Sequence, residues 1–248
     1  MRIVFLGTGT STGIPQIGCD CSTCHSSDSK DKRLRASVLI EIDNKKILID
    51  SGPDLRQQFL KQGIKHITGI LLTHEHYDHV GGLDDIRPLG EITIYAENKV
   101  LYSIQRNMPY CFGEKKYPGV PLIKLEEIAL KAFKIENTTI QPIRVMHDRL
   151  PILGFRIGKM AYLTDVKTIE KSALEQLHDL DILILNALRH KEHISHLNLN
   201  EAIDLAGKIN ARKTYFTHLS HDMGKHETTQ TTLPENIFIA YDNLVLNL

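Results

Sequence analysis

Four side chains of the kind that bind metal ions follow directly on an apolar run that predicts a buried strand. The segment reads GILLTHEHYDHVGG and places His74, His76, Asp78 and His79 within six residues. Burying polar groups without partners costs roughly 1–3 kcal/mol each, so such a cluster at the end of an apolar strand needs a compensating partner. The segment therefore predicts a metal site at the edge of a β-sheet.

The same pattern recurs later in the chain. Three apolar runs end in threonine followed by histidine or aspartate, namely ILLTH, AYLTD and TYFTH, and a fourth run, IRVMH, ends in histidine. Together they provide seven candidate ligands: His74, His76, Asp78, His79, His147, Asp165 and His218. Seven ligands suit two divalent ions that share a bridging carboxylate, an arrangement that activates a hydroxide for hydrolysis. Imidazole and carboxylate ligands admit zinc, manganese, iron or nickel.

Length and composition indicate what kind of protein carries this site. The chain has 248 residues, 42% of them hydrophobic, which allows one domain over residues 1–248 with a substantial core. Acidic and basic residues balance at 30 each, so no strong charge points to nucleic acid or to an anionic membrane. No apolar run approaches the ~20 residues of a membrane span, and the N-terminus predicts a strand rather than a signal peptide. We therefore expect a cytoplasmic protein, in which disulfides do not persist.

Hydrophobic periodicity predicts a mixture of hairpins and strand–helix units. Twelve strands are expected, at Arg2–Leu6, Ser37–Ile42, Lys46–Asp50, Gly69–Thr73, Ile92–Tyr95, Thr139–Val145, Leu153–Ile157, Met160–Thr164, Ile182–Leu185, Thr214–Thr217, Ile237–Tyr241 and Leu244–Leu246. Four helices are expected, at Pro53–Gln62, Glu97–Asn107, Thr168–His178 and Asn200–Ile209. Asn44-Lys45 and Gly158-Lys159 are predicted hairpin turns, and Pro109–Pro121 an irregular loop. The mixture favours an α/β fold with two sheets flanked by helices.

The segment THEHYDH has the H-x-H-x-D-H signature and resembles the metallo-β-lactamase fold superfamily. The later candidate ligands match the later motifs of that superfamily in order. The resemblance spans Arg2 to His221 and implies an αββα sandwich of two mixed β-sheets flanked by helices, with the site at its upper edge. It implies that one ion is held by His74, His76 and His147. It implies that the other is held by Asp78, His79 and His218, with Asp165 bridging the two.

A second cluster of ligand-type residues lies in the loop after the first predicted strand. The stretch CDCSTCH holds three of the four cysteines of the chain, Cys19, Cys21 and Cys24. A disulfide is disfavoured in a reducing compartment, and a nucleophilic thiol is unnecessary where metal ions activate water. Three soft thiolates suit a closed, structural zinc site that needs one more ligand. His25 follows Cys24 directly, which makes it a geometrically awkward fourth ligand.

The cysteine loop, together with the glycine-rich turn GTGTSTG, resembles the PhnP-type phosphodiesterase branch of the superfamily. In that branch the H-x-x-H found here as THLSH supplies the fourth zinc ligand, which corresponds to His221. The resemblance implies a structural zinc held by Cys19, Cys21, Cys24 and His221. It also implies hydrolysis of a cyclic phosphodiester such as 5-phosphoribosyl 1,2-cyclic phosphate, and it is compatible with a homodimer.

His196, in the stretch HISHLNLN, matches the catalytic histidine of the same branch. Cleavage of a phosphodiester expels an alkoxide, and a histidine that protonates it typically contributes about 10²–10⁴-fold. Without the resemblance, a surface histidine beside His190 and His193 is the simpler interpretation. Asp78 is a candidate for a second role, as an orienting group or base beside its ion.

Other functions stay open at the level of sequence. A broader cyclic-nucleotide or RNA phosphodiesterase of the same fold, such as a tRNA 3′-processing nuclease, shares the ligand set. Those nucleases carry a long arm between the later motifs, whereas only residues 148–164, 17 in all, separate His147 from Asp165. The neutral net charge also argues weakly against RNA. A metal-binding module without catalysis is the alternative of another class. We expect a small-molecule phosphodiester as the substrate.

Overall fold

Two seven-stranded β-sheets form the centre of the structure, a computed structural model that describes residues 1–113 and 118–248. The first sheet contains, from edge to edge, β14 (Val245–Asn247), β1 (Arg2–Gly7), β2 (Ser37–Ile42), β3 (Lys45–Ile49), β4 (Gly69–Leu71), β5 (Glu91–Ala96) and β6 (Leu122–Glu127). The second contains β13 (Ile237–Ile239), β12 (Lys213–Thr217), β11 (Ile182–Asn186), β10 (Met160–Leu163), β9 (Leu150–Ile157), β8 (Thr138–His147) and β7 (Phe133–Ile135). Both sheets are mixed, because each joins a set of antiparallel pairs to a set of parallel pairs.

Short helices connect and flank these strands. The described part of the chain contains α1 (Leu55–Gln62), α2 (Tyr77–Val80), α3 (Asn98–Asn107), α4 (Lys171–Leu174), α5 (Leu199–Ile209) and α6 (His226–Gln230). A capping box fixes the start of α5, because the Asn198 side chain accepts from the Glu201 N–H and the Glu201 side chain accepts from the Asn198 N–H, both at 2.9 Å. Left-handed Asn210 ends this helix. Among the described residues, no helix combines the length and the apolar character needed to cross a membrane.

Three layers of apolar packing hold the sheets and helices together. Side chains from both sheets, including Phe5, Phe155 and Tyr162, are fully buried between them. On the outer face of the first sheet, Phe59 of α1 belongs to a second buried cluster, and on the outer face of the second sheet Ala202 of α5 belongs to a third. The order of layers is therefore helix, sheet, sheet, helix, which confirms the predicted αββα sandwich.

All twelve predicted strands are present with ends shifted by a few residues, but two further strands were missed. β6 reads LIKLEE and buries only Ile123 completely, because it lies at the edge of its sheet. β7 has three residues. LIKLEE lacks a regular apolar or alternating pattern, and FKI alternates over only three residues, which is too short to predict a strand.

Three local predictions were wrong in detail. The helix expected over Thr168–His178 is shorter, because α4 ends at Leu174 and one 3₁₀ turn follows at Glu175–Leu177. The first hairpin turn is Asp43-Asn44 rather than Asn44-Lys45, and both of its residues have positive φ, 49° and 63°. The predicted loop Pro109–Pro121 begins with a 3₁₀ turn at Pro109–Cys111, and residues 114–117 of it lie outside the described residues.

Candidate metal centre

Strands from both sheets deliver the seven candidate ligands to one edge of the sandwich. β8 ends at His147, β10 is followed by Thr164 and Asp165, and β12 is followed by His218. These three strands run in the same direction, so their carboxyl ends share an edge. The first sheet joins them there, because the Leu153 N–H of β9 donates to the Thr73 carbonyl beside His74 at 3.1 Å.

The backbone at this edge is held in an unusual conformation. Asp165 and His218 both have φ of 57°, in the left-handed region that residues other than glycine seldom adopt. Asp50, which follows β3, has φ of 62°. Such conformations cluster at functional sites, where the surrounding structure maintains them.

Six of the candidate ligands form two neighbouring groups. Ligand atoms lie within 4.8 Å of one another in the first group, His74, His76 and His147, and in the second, Asp78, His79 and His218. Asp165 adjoins both groups, because its oxygens lie 3.3 Å from His79 Nε2 and His218 Nε2 of the second group and its ligand atom lies within 4.8 Å of that of His74 in the first. The structure therefore brings together all seven residues that the sequence indicated.

The hydrogen bonds of these histidines fix which nitrogen faces the centre of the site. His79 Nδ1 is 2.7 Å from an Asp50 oxygen, which requires the proton on Nδ1. His79 Nε2 is buried without a hydrogen-bond partner, and it lies 3.3 Å from both Asp78 and Asp165. Two carboxylates this close to one ring nitrogen favour positive charge there, and a metal cation would supply it.

Two other histidines show the same arrangement. His147 Nδ1 donates to the backbone carbonyls of Asp165 at 3.0 Å and Ser195 at 2.8 Å. The proton therefore lies on Nδ1, and Nε2 of His147 is left with a lone pair that can bind a metal ion. His74 Nδ1 lies 2.9 Å from the Thr73 hydroxyl, which donates to Asp50 at 3.0 Å. Oxygen partners on the far side of an imidazole are typical of histidines that bind metals.

The charges of the cluster are strongly coupled. Burial opposes a charge on His79, but the carboxylates of Asp50, Asp165 and Asp78 outweigh it and raise the pKa of His79 well above its ordinary value. Burial likewise opposes a charge on Asp165, yet the imidazoles of His218 and His79 hold its pKa far below the usual range. The site is thus organised around positive charge at its centre, supplied by a proton or by metal ions.

Asp50 is a candidate positioning residue that sequence reasoning missed. It is fully buried, and besides binding His79 it accepts from the N–H and the hydroxyl of Thr73, at 2.9 and 3.0 Å. Burial raises the pKa of Asp50, and the adjacent His79 opposes that effect. The available signal was the run KILID, a fifth apolar strand that ends in a ligand-type residue.

The three clustered cysteines meet His221 rather than His25. The Sγ atoms of Cys19, Cys21 and Cys24 and a ring nitrogen of His221 all lie within 4.8 Å of one another, and His221 Nδ1 is 3.3 Å from both Cys19 and Cys21. His25 instead places Nδ1 3.4 Å from the Cys21 carbonyl. We refer to Cys19, Cys21, Cys24 and His221 as the cysteine cluster.

Hydrogen bonds in the cysteine cluster favour a thiolate at Cys21, whereas burial raises the pKa of the Cys24 thiol to about 11. The Gln16 N–H points at Cys24 Sγ at 3.3 Å, and the Cys24 N–H points at Cys21 Sγ at 3.4 Å. The pKa of Cys21 is lowered to about 6, mainly by the hydrogen bond from the backbone N–H of Cys24 and secondly by the hydrogen bond with His221. Soft thiolates at these distances fit a zinc ion.

His196 lies against the candidate metal centre. Its Nδ1 is buried without a hydrogen-bond partner and lies 3.6 Å from Asp165 Oδ1, while its ring is 4.6 Å from that of His147 and 5.0 Å from that of His218. Backbone bonds hold the segment, because the Leu197 N–H donates to the Val166 carbonyl at 2.8 Å. Burial lowers the pKa of His196 to about 3. The interpretation of His196 as a surface histidine is therefore wrong.

With this geometry established, comparison with known proteins identifies the family. A family model described as the β-lactamase superfamily domain matches residues 45–219. The chain belongs to the metallo-β-lactamase superfamily. Its fold is similar to a crystal structure of a new diphosphatase from the PhnP family, with a TM-score of 0.94 and 40% identity over 100% of this chain and 97% of that one. It is also similar to zinc-bound PqqB from Methylobacterium extorquens, with a TM-score of 0.82 and 22% identity over the full length of both chains, which shows the fold alone.

Curated relatives of this superfamily member are longer than the chain itself. It is 47% identical over 250 residues to a protein of Porphyromonas gingivalis (strain ATCC BAA-308 / W83) named octanoyltransferase, a match that covers 98% of this chain and 51% of that protein. It is 30% identical over 157 residues to coenzyme PQQ synthesis protein B of Methylorubrum extorquens (strain PA1), covering 58% of this chain and 49% of that protein. The chain thus spans about half the length of the curated relatives that it matches.

Proposed function

We propose that this hydrolase of the metallo-β-lactamase fold is a metal-dependent phosphodiesterase of the PhnP type. The observation that carries the proposal is that both ligand groups adjoin the Asp165 carboxylate, through His74 on one side and His79 and His218 on the other, with His196 3.6 Å from the same carboxylate. A non-catalytic binding module would have no need of a buried imidazole without a hydrogen-bond partner on Nδ1 beside its metal ligands.

The residues that would hold the catalytic metals follow from the two groups. His74, His76 and His147 would hold one ion, Asp78, His79 and His218 the other, and Asp165 would bridge them. When bound, two divalent ions lower the pKa of water and neutralise charge on the phosphoryl oxygens. The imidazole and carboxylate donors fit zinc or manganese and admit iron or nickel. The cysteine cluster would hold one structural zinc.

His196 would act as the proton donor to the leaving oxygen. The residue is neutral in the site as it stands, because burial lowers its pKa to about 3. The Asp165 carboxylate favours a charged imidazole, and an anionic substrate beside the ring would add to that effect. Asp78, whose carboxylate lies 3.3 Å from His79 Nε2 and 3.4 Å from His218 Nε2, would contribute a ligand oxygen beside them, with a second role as a base.

The substrate we propose is a small cyclic phosphodiester such as 5-phosphoribosyl 1,2-cyclic phosphate. A diphosphate is the second candidate, because the PhnP-family structure that is 40% identical to this chain is described as a diphosphatase. The human short form of tRNase Z shares the fold at 22% identity, so RNA processing has weaker support. Octanoyl transfer has no support from this site, and the protein of that name extends far beyond the matching region.

The proposal extends to the substrate class, the cellular compartment and the assembly of the protein. Balanced charge, with 30 acidic and 30 basic residues, supports a small-molecule substrate rather than nucleic acid. Three adjacent thiolates suit the reducing cytoplasm. A single domain over residues 1–248, expected from length and composition, and a homodimer, expected from the PhnP resemblance, are further parts of the proposal.

Turnover of phosphodiesters tests the proposal directly. We expect the protein loaded with Mn²⁺ or Zn²⁺ to hydrolyse bis(p-nitrophenyl) phosphate, and a parallel assay of ribose cyclic phosphate, cyclic nucleotides, a nucleoside diphosphate and precursor tRNA would rank the candidates. His196→Ala should lower kcat by roughly 10²–10⁴-fold without loss of metal. His178→Ala, which changes an exposed histidine outside the candidate metal centre, is the matched control. Absence of turnover in protein that demonstrably holds both ions would overturn the enzymatic function.

A further inference from the structure

A second histidine lies beside the proposed proton donor. The ring of His193 is 4.9 Å from that of His196, measured between ring centres, and the two ring planes differ by 36°. His196 in turn contacts the rings of His147 and His218, whereas His193 belongs to neither ligand group. His193 is thus linked to the candidate metal centre through the ring of His196.

Contacts with Ser195 hold His193 in one orientation. The Ser195 N–H donates to His193 Nδ1 at 3.3 Å, and the Ser195 hydroxyl lies 3.2 Å from the same nitrogen. The Ser195 carbonyl accepts from His147 Nδ1 at 2.8 Å, so one residue fixes both rings to the same backbone. Because His193 Nδ1 accepts a hydrogen bond, the proton of the neutral ring lies on Nε2.

The Nε2–H group of His193 is left for a partner outside its own segment. The ring is partly buried, and no residue in the described part of the chain accepts a hydrogen bond from Nε2. His190, three residues earlier, differs in this respect, because its Nε2 donates to the Met223 carbonyl at 3.1 Å. His193 therefore presents an unused donor beside the proposed proton donor.

The surroundings of this donor are positively charged. Burial, followed by the charge of Arg189, lowers the pKa of His193, so the ring is neutral near pH 7 and keeps its proton on Nε2. Two backbone carbonyls of its own segment hold the Arg189 guanidinium, and its ion pair with Asp222 is long, at 4.0 Å. A hydrogen-bond donor beside a weakly compensated positive charge favours an anionic ligand.

We infer that His193 binds a second phosphoryl group of the substrate through Nε2–H, on the side of the leaving oxygen. The inference rests on the proposed function, because His196, as the donor to that oxygen, places His193 beside the part of the substrate beyond the scissile bond. Both substrates proposed above carry such a group. It is the 5-phosphate of 5-phosphoribosyl 1,2-cyclic phosphate, or the departing phosphate of a diphosphate. His193 is therefore a specificity-determining residue.

Two sugar phosphates that differ by one phosphoryl group isolate this contact. Ribose 1,5-bisphosphate and ribose 1-phosphate share the group that the metal ions would bind, and calorimetry measures their affinities for the metal-loaded protein without turnover. We expect the bisphosphate to bind roughly 10- to 100-fold more tightly. His193→Asn can still accept from the Ser195 N–H but lacks a donor at the position of Nε2, so it should lower this preference by roughly tenfold. His193→Gln, whose amide nitrogen reaches that position, should keep it. His190→Asn, the control, should keep it as well, because His190 Nε2 is already bound to Met223.

A second pair of ligands distinguishes the two sources of the phosphoryl group. α,β-Methyleneadenosine diphosphate and adenosine monophosphate also differ by one phosphoryl group, and the methylene bridge resists hydrolysis. A preference that His193→Asn lowers in the sugar pair supports a phosphorylated sugar, and one that it lowers in the nucleotide pair supports a diphosphate.

Three results would overturn the inference. The first is an unchanged preference in His193→Asn for both pairs, and the second is an equal loss of affinity for both members of each pair, which would mean that His193 only holds the segment of His196. The third is the same loss of preference in His193→Gln, which would exclude Nε2–H as the donor. Failure of the protein with both ions bound to hydrolyse any phosphodiester or diphosphate would instead overturn the proposed function.

Discussion

A single buried carboxylate orients histidines of both ligand groups. Asp50 accepts directly from His79 Nδ1 at 2.7 Å, and it reaches His74 through Thr73, whose hydroxyl lies 3.0 Å from Asp50 and 2.9 Å from His74 Nδ1. Because the Thr73 hydroxyl donates its one proton to the carboxylate, it accepts from His74. Both imidazoles are thereby left with Nε2 unprotonated and directed toward the metal centre.

Replacing this carboxylate should weaken metal binding without removing a ligand. Asp50→Asn retains the shape of the side chain but loses the charge that holds the proton on His79 Nδ1. We expect metal affinity to fall by roughly 10- to 100-fold, measured by competition with a chelator. Asp54→Asn, which changes a carboxylate bound to Arg35 instead, should leave the affinity unchanged. Equal affinity in Asp50→Asn and the unmodified protein would show that the histidines are oriented by their other contacts.

The cysteine cluster links the loop after β1 to the segment after β12. His221 lies three residues beyond His218, so a zinc ion held by the cluster would tie a candidate catalytic ligand to the cysteine loop. The two segments also meet directly, because the Thr10 N–H donates to the Leu219 carbonyl at 2.9 Å and the Leu219 N–H donates to the Thr8 carbonyl at 3.0 Å. Loss of the zinc should therefore loosen this part of the structure and affect activity only secondarily.

Cys21→Ser tests the link, with His25→Ala as its control. We expect Cys21→Ser to lose about one zinc ion per chain and to lower Tm, because a structural zinc contributes to folding free energy. His25→Ala should retain the zinc, since His25 lies outside the cluster. Metal analysis together with thermal unfolding measures both effects. A zinc content lowered by His25→Ala but not by Cys21→Ser would contradict the assignment of His221.

Sequence patterns correctly predicted the strands whose side chains are buried in a regular pattern. Strands such as β10, whose four residues are all buried, are predicted by their run of apolar residues. β6 was missed because an edge strand buries little, and α2 because a four-residue helix has no periodicity to detect. The ligands themselves were predictable from their repeated position after strands. Asp50 also follows an apolar strand, but its partner His79 lies 29 residues away, and the sequence does not show that contact.

The N- and C-terminal parts of the described chain are joined by buried polar contacts. Asp242 accepts from the Thr8 hydroxyl and from the Leu34 N–H, both at 2.7 Å, while buried Arg33 donates to Thr8 at 2.8 Å. The His226 N–H donates to an Asp31 oxygen at 2.6 Å. Burial raises the pKa of Asp242 to about 6. The pKa of His226 is lowered to about 4, mainly by burial and further by the positive charges of Arg33 and Lys30.

These two shifts have opposite effects on stability below neutral pH. Between pH 6.5 and about 4, unfolded His226 binds a proton that the folded residue does not, so acidification favours unfolding. Between pH 6 and about 4, folded Asp242 binds a proton that the unfolded residue does not, so acidification favours folding. The two contributions offset each other in the intact protein, and removing either one should reveal the other.

Paired variants should therefore show pH profiles of opposite slope relative to the intact protein. As pH falls from 6.5 to 4, we expect the free energy of unfolding of His226→Gln to rise relative to the intact protein, because the proton-linked loss at His226 is gone. Over the same range that of Asp242→Asn should fall, because the gain from protonating Asp242 is gone. Denaturant unfolding at several pH values measures both, and His66→Gln, at an exposed histidine, is the control. Parallel profiles for all four proteins would mean that neither buried group changes its proton affinity on folding, and that these contacts join the termini through hydrogen bonds alone.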